Sequence, residues 1–229
     1  MRTILALETS SDIASAALLH NGRLLARDTS GVQTHSQSVL PMVQQLLAEA
    51  GIALGQCDAI AFGAGPGSFT GVRTACGVAQ GLAFGAGLPV VPVVTLQAMA
   101  QACRERCGAD EVLAVLDARM EEVYWAQYRF DNGWHAVTEP ALASASEVTA
   151  CGQVRATACG NGLLAYASAF EDKGFAVCPG IVPHAAQVAT LAQAELLAGR
   201  GIHAREAQPI YLRNKVALTT AERQAKAAA

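Results

Sequence analysis

Apolar residues in this chain fall either into short continuous runs or into stretches with a helical spacing, and the switches sketch an order of elements. Thr3–Leu7 and Ala14–Leu19 are apolar runs of strand length, and Arg23–Asp28 follows them. Asn21-Gly22 separates the second run from the third, the composition of a two-residue hairpin turn. From Ser36 to Ala50 the spacing is helical, with Val39, Val43, Leu46, Leu47 and Ala50 recurring on one side. Pro41 is expected in the first turn of that helix and Gly51 at its end. Ala59–Phe62 then predicts a strand, Thr70–Gly85 a helix, Pro89–Val94 a strand and Thr95–Arg106 a helix. The order is β-β-β-α-β-α-β-α.

The pattern then begins again. Val112–Leu116 ends on Asp117 much as Ile4–Leu7 ends on Glu8, and Val123–Tyr128 matches the second strand. Asn132-Gly133 repeats the earlier turn, and Trp134–Thr138 supplies a third strand. This repeat predicts two related lobes divided near Cys107–Glu111, one over 1–108 and one over 109–229. Beyond Pro140, helices are expected at Ser144–Cys151, Leu163–Phe170 and His184–Leu197, with a strand at Ala156–Cys159 and an ordered segment Pro209–Arg213. The alanine-rich tail Ala221–Ala229 reads as frayed.

Composition narrows the class. A chain of 229 residues, 52% hydrophobic and 15% charged, is globular and long enough for a large core. Its net charge of −3 gives no general attraction to polyanions, so it is not expected to be the main docking surface for an RNA. Arg205, Arg213, Lys215, Arg223 and Lys226 make the C-terminal end locally basic, in the manner of a solvated face. The weakly polar stretch Thr74–Val94 is interrupted by Gln80, glycines, Pro89 and Pro92, and Glu8 and Asp12 come too early for a signal peptide. Cysteines stand at 57, 76, 103, 107, 151, 159 and 178, mostly in apolar segments; they are expected as buried, reduced thiols of a cytoplasmic protein. Cys103 and Cys107 form a CxxxC pair with no second pair to complete a zinc site.

The most informative stretch is Phe62–Gly85, FGAGPGSFTGVRTACGVAQGLAFG. A turn with Gly63, Gly65, Pro66 and Gly67 leads into a helix bearing Gly77, Gly81 and Gly85. Each interior glycine costs a helix about 1 kcal/mol relative to alanine, so something must approach the backbone closely. Ser68 or Thr70 is expected to cap the helix, and the loop Gly63–Gly71 offers amides to an anion. Val72, Val78, Leu82 and Phe84 make the helix apolar nearly all round, and Leu40 and Met42 point away from the Val43–Leu47 centre of the preceding helix. The pair therefore predicts a protein–protein interface of Val39, Leu40, Met42, Val43, Val72, Arg73, Cys76, Gly77, Gln80, Gly81 and Phe84. Under the blander alternative, the helix glycines only admit the lobe's own sheet.

Five segments in order, LETSSDIASAAL, HSQSVLPMV, GPGSFTGVR, DARMEEVY and PIYLR, resemble the TsaB (YeaZ) family, relatives of TsaD within the superfamily of actin-like ATPases, sugar kinases and chaperone ATPases. The resemblance implies an α/β, two-lobed actin-like ATPase (ASKHA, ribonuclease H-like) fold, each lobe a mixed sheet with flanking helices. It implies a non-catalytic scaffold for a TsaD-like transferase, which forms threonylcarbamoyladenosine beside the anticodon of tRNAs reading ANN codons. A TsaE-like ATPase would complete the set, tRNA would be met mainly through the complex, and the chain alone would form a homodimer through the same helices.

The residues bear on that expectation. Where TsaD proteins resemble one another in a His-x-x-x-His metal motif, this chain has Thr95 and Met99, with Gln97 between them. His20, His35, His135, His184 and His203 form no pair at metal spacing. Neither Glu8-Thr9-Ser10 nor Asp117-Ala118-Arg119 has the glycine of a kinase-like phosphate turn, and GAGPGSFTGVR lacks the Lys-Ser/Thr ending of a P-loop. No cofactor of its own is expected beyond a weak nucleotide contact at Thr9, Ser10, Gly65, Gly67 and Ser68. The alternatives are an independent ATP-using enzyme relying on Glu8 and Asp117, and a metallopeptidase, for which the ligands are missing.

Overall fold

Strands β1 (Ile4–Glu8), β2 (Ile13–His20), β3 (Arg23–Ser30), β4 (Ala59–Gly65) and β5 (Val90–Val94) form one sheet in the order β3-β2-β1-β4-β5. The computed structural model describes residues 2–30, 35–152 and 155–213. A second sheet contains β6 (Glu111–Asp117), β7 (Glu122–Phe130), β8 (Trp134–Ser144), β9 (Thr157–Cys159) and β10 (Ala176–Cys178), and read from its other edge its order is β8-β7-β6-β9-β10. In each sheet the first three strands pair antiparallel and the last two join in parallel, so the sequence repeat is a repeat of topology. The fold is the two-lobed α/β architecture expected. Lys215, Arg223, Lys226 and the tail Ala221–Ala229 lie outside the described residues.

Strand alternation divides the side chains between layers. In β1, Leu5 and Leu7 face a core shared with α1 (His35–Ala50) and α2 (Phe69–Ala86), while Ile4 and Ala6 face α5 (Ala185–Leu197). In β6, Val112, Ala114 and Leu116 face α3 (Thr95–Cys107), and Leu113 and Val115 face a layer built from residues 145–170. Helix α3 contributes Ala98 to the first lobe's core and Leu96, Met99 and Cys103 to the second's. The sheets fall on either side of the expected division at 108/109, yet α5 returns to the first sheet, where Ala185 N donates to Ser15 Oγ at 2.9 Å. Among the described residues no helix is long and apolar enough to cross a membrane.

Several local expectations need correction. Asn21 and Gly22 do form the hairpin turn, both with positive φ (50° and 77°). Pro41, however, lies in the second turn of α1, on its exposed side, where the missing N–H faces water. No helix forms over Ser144–Cys151: β8 runs to Ser144, a 3-10 turn covers Ala145–Glu147, and the chain is then pinned by Gln127. The buried Gln127 amide donates to Cys151 O (2.9 Å) and accepts from Cys151 N (2.7 Å), which holds that segment extended. The helix expected at Leu163–Phe170 shrinks to α4 (Gly162–Ala165) and a 3-10 turn, broken at Tyr166. Strand β10, three residues between Gly174 and Pro179, was not anticipated.

Candidate functional site

The glycine-rich stretch from the end of β4 into the first turn of α2 packs onto the end of β1 and the turn that follows it. A Cβ on Gly63 would stand 1.8 Å from Glu8 Oε2, and one on Gly71 would stand 1.9 Å from the Thr9 carbonyl oxygen. A Cβ on Gly67 would come within 2.6 Å of Ser10. Hydrogen bonds close the joint: Ser68 N donates to Ser10 O (2.7 Å) and Thr9 Oγ1 to Gly71 O (2.6 Å). Ser68 is the expected cap of α2, its Oγ accepting from Gly71 N at 3.4 Å. Of the residues assigned to a weak nucleotide contact, Thr9 and Gly65 are therefore buried in the joint, with Gly65 against Ile210. Ser10, Gly67 and Ser68 line a cleft of about 700 Å³ between the lobes.

Across that cleft stand Asp117, Arg119 and Arg213. Glu8 does not line it. Its carboxyl is wholly buried, burial pushes its pKa up, and Oε1 accepts from Ser10 N at 2.5 Å. Asp117 is committed to its own turn: Oδ1 accepts from Arg119 N (2.8 Å) and from Tyr166 OH (3.0 Å). That turn is strained, with Arg119, Met120 and Glu121 all left-handed (φ 63°, 59° and 65°). Arg213 clamps it by donating to Ala118 O (3.0 Å) and Arg119 O (3.3 Å) and pairing with Glu122 at 2.6 Å. Ile210 N donates to Ala64 O at 2.7 Å, so the PIYLR segment straps the first lobe to the second. Arg213 is thus a largely buried structural group rather than part of a solvated basic face.

On the outer side of α2, Cβ atoms at Gly77, Gly81 and Gly85 would meet nothing within 4 Å. These glycines do not admit the lobe's own sheet; the inward side of the helix is Val72, Ala75, Cys76, Ala79 and Ala83. Of the expected interface residues, Leu40 (45% exposed), Arg73, Gly77, Gly81 and Phe84 (77% exposed) face out. Val39, Val43, Val72 and Cys76 are part of the chain's own core. Met42 is corrected from outward to buried, because it shares one helical face with Val39, Val43 and Leu46. Gln80 is half-buried, its amide donating to Ala204 O (3.1 Å) and Ala207 O (3.0 Å). The Arg73 guanidinium lies 3.5 Å over the Phe69 ring and its Nε donates to Tyr211 OH at 2.7 Å. Phe69 and Tyr211, both partly exposed, extend this face and were missed, although both stand in the quoted motifs GPGSFTGVR and PIYLR.

Thr95 and Met99 are buried, and Thr95 Oγ1 accepts from Gly65 N at 3.1 Å, so those positions serve packing. The expectation of reduced thiols is overturned at one pair: Cys107 and Cys178 form a disulfide, brought together by α3 and the unanticipated β10.

Comparison with known proteins gives the class first. Residues 25–217 match the family described as TsaD, tRNA N6-adenosine threonylcarbamoyltransferase. The chain is 43% identical over 224 residues to the tRNA threonylcarbamoyladenosine biosynthesis protein TsaB of Haemophilus influenzae, covering 93% of this chain and 94% of that one. It is 40% identical over 223 residues to the TsaB of Escherichia coli, covering 93% and 96%. The structure of YeaZ from Pseudomonas aeruginosa superposes with a TM-score of 0.86 at 41% identity, covering 93% of this chain and 100% of that one. A second structure from that organism, described as similar to the peptidase YeaZ, gives 0.88 at 40% identity with the same coverage. The chain belongs to the TsaB (YeaZ) family.

Proposed function

We propose that this chain is an accessory subunit in tRNA threonylcarbamoyladenosine formation, docking a TsaD-type transferase on the outer face of α2 and performing no chemistry itself. The observation that carries this reading is the open stripe Gly77, Gly81, Gly85 beside Phe84: helix glycines at which an added Cβ would meet nothing within 4 Å. Glycines at this spacing let a second helix approach the backbone, and covering Phe84 alone contributes about 2 to 3 kcal/mol. A homodimer through the same face is expected when the transferase is missing, with a TsaE-type ATPase and tRNA joining through the complex.

The cleft favours the same reading over an independent ATP-using enzyme. One of the two acids such an enzyme would use is buried and raised in pKa, and the other holds a turn. Co-purification with the transferase tests the proposal. Leu40→Asp and Gly81→Leu should abolish it while circular dichroism of the isolated chain is unchanged; undiminished binding in both defeats the docking face. Reconstitution with and without this chain, scoring modified tRNA, tests the accessory role.

A further inference from the structure

Four cysteines distant in sequence meet on one side of the second sheet. Cys103 and Cys107 lie one turn apart on α3, while Cys159 and Cys178 end β9 and β10 as register partners. The sulfurs of Cys103, Cys107 and Cys178 all lie within 4.8 Å of one another. Cys103 and Cys178 are buried and Cys107 is exposed. The Cα atoms of the bonded pair Cys107–Cys178 are 6.5 Å apart, toward the wide end of the range that disulfides span. Behind them lies the buried Cys159, whose Sγ donates to Met99 O at 3.9 Å.

We propose that Cys103, Cys107 and Cys178 form a three-thiolate site for a zinc ion when the Cys107–Cys178 bond is reduced. A dithiol reductant supplies two electrons and two protons, becoming a cyclic disulfide as Cys107 and Cys178 become thiols. Zn²⁺ then displaces three protons, one from each sulfur. Tetrahedral zinc with Zn–S bonds of about 2.3 Å sets its sulfurs roughly 3.8 Å apart. The bonded pair need only separate, and Cys103 is already within reach. The exposed side at Cys107 leaves the fourth position to water, and thiolates select a borderline-soft ion over magnesium or calcium. Bond and ion are alternative ties between the same elements, α3 and the short edge strand β10.

The test uses the full chain, reduced with an immobilised phosphine that is converted to its oxide and then removed. After loading with zinc chloride and gel filtration, the reduced chain should retain about one zinc ion, the stoichiometry of a single site. The unreduced chain, Cys103→Ser and Cys178→Ser should each retain less than about a tenth of that, while Cys151→Ser, an exposed cysteine outside the cluster, matches wild type. Cobalt added to the reduced wild-type chain should give thiolate-to-metal charge-transfer absorption that zinc abolishes, a readout independent of how the variants fold. Reduced wild-type protein with neither retained zinc nor that absorption overturns the proposal, as does wild-type zinc retention in Cys103→Ser and Cys178→Ser.

Discussion

Replacing Gly77 and Gly81 by alanine should stabilise the isolated chain and weaken its complex with the transferase. Both lie in the interior of the 18-residue helix α2, and a methyl at either position meets nothing within 4 Å. The isolated helix therefore gains about 0.8 to 1 kcal/mol per substitution from lost backbone freedom in the unfolded chain. Together they should add about 2 kcal/mol, raising the melting temperature of a domain this size by roughly 4 to 8 °C. In a close helix–helix contact the same methyls overfill the interface, costing about 1 to 3 kcal/mol each. That weakens binding by about five- to 150-fold per site. Melting should be followed at concentrations where light scattering reports monomer, since a dimer through this face would make the midpoint concentration-dependent. Binding is measured by titration with the transferase. A destabilised monomer would refute the open geometry of α2, and a stabilised monomer with unchanged affinity would refute docking there.

Gly71, in the first turn of the same helix, should respond with the opposite sign. Gly71→Ala drives a methyl into the Thr9 carbonyl and should cost about 3 kcal/mol or more in urea unfolding; an unchanged midpoint would contradict the packed joint. Glu8→Gln should flatten the pH dependence of stability. The folded-state pKa of Glu8 is raised, so its contribution is full below the unfolded carboxyl value and is lost as pH rises through the folded one. The variant should therefore gain on wild type progressively as pH rises above the unfolded carboxyl range, and parallel stability curves would contradict the raised pKa of Glu8. Arg213→Ala should cost about 2 kcal/mol or more by releasing the strained turn, and Arg213→Lys should recover little, because a point charge cannot reach both carbonyls and Glu122. Full recovery by lysine in a thermal melt would show that charge alone matters.

Where the sequence was legible, the length of an apolar run or a helical period in the side chains carried the information. The continuous apolar runs Ile4–Leu7 and Val112–Leu116 and the helical spacing from Val39 to Leu46 marked elements that the structure contains, and the repeated strand–turn–strand marked the doubled topology. Met42 was misplaced although its i, i+3 relation to Val39 was visible, because Leu40 beside it drew it to the outer face. Residues 144–151 have helix-compatible side chains, but Gln127, on another strand, takes the backbone groups of Cys151. The return of α5 to the first sheet, the strap Ile210–Arg213 and the meeting of Cys103, Cys107, Cys159 and Cys178 are all long-range placements. No local pattern encodes them.

The motif Gly63–Gly85 also shows why glycine is hard to read alone. Gly63, Gly67 and Gly71 are required by neighbours of the same chain, whereas methyls at Gly77, Gly81 and Gly85 would meet nothing within 4 Å. The first group bears on the second. Thr9 and Ser10 fill the space at the start of α2 and bond to it, Ser68 caps it, Gln80 ties its middle to Ala204 and Ala207, and Arg73 leans on Phe69 and Tyr211. The helix is thereby fixed along its length by side chains that leave its outer face bare. A partner meeting that face, as proposed, would order little on arrival, and lost freedom is a main cost of association. A turn packed shut against its own strand thus becomes the anchor of a rigid docking helix, which connects the closed joint at Glu8–Ser10 to the open glycines on the far side of α2.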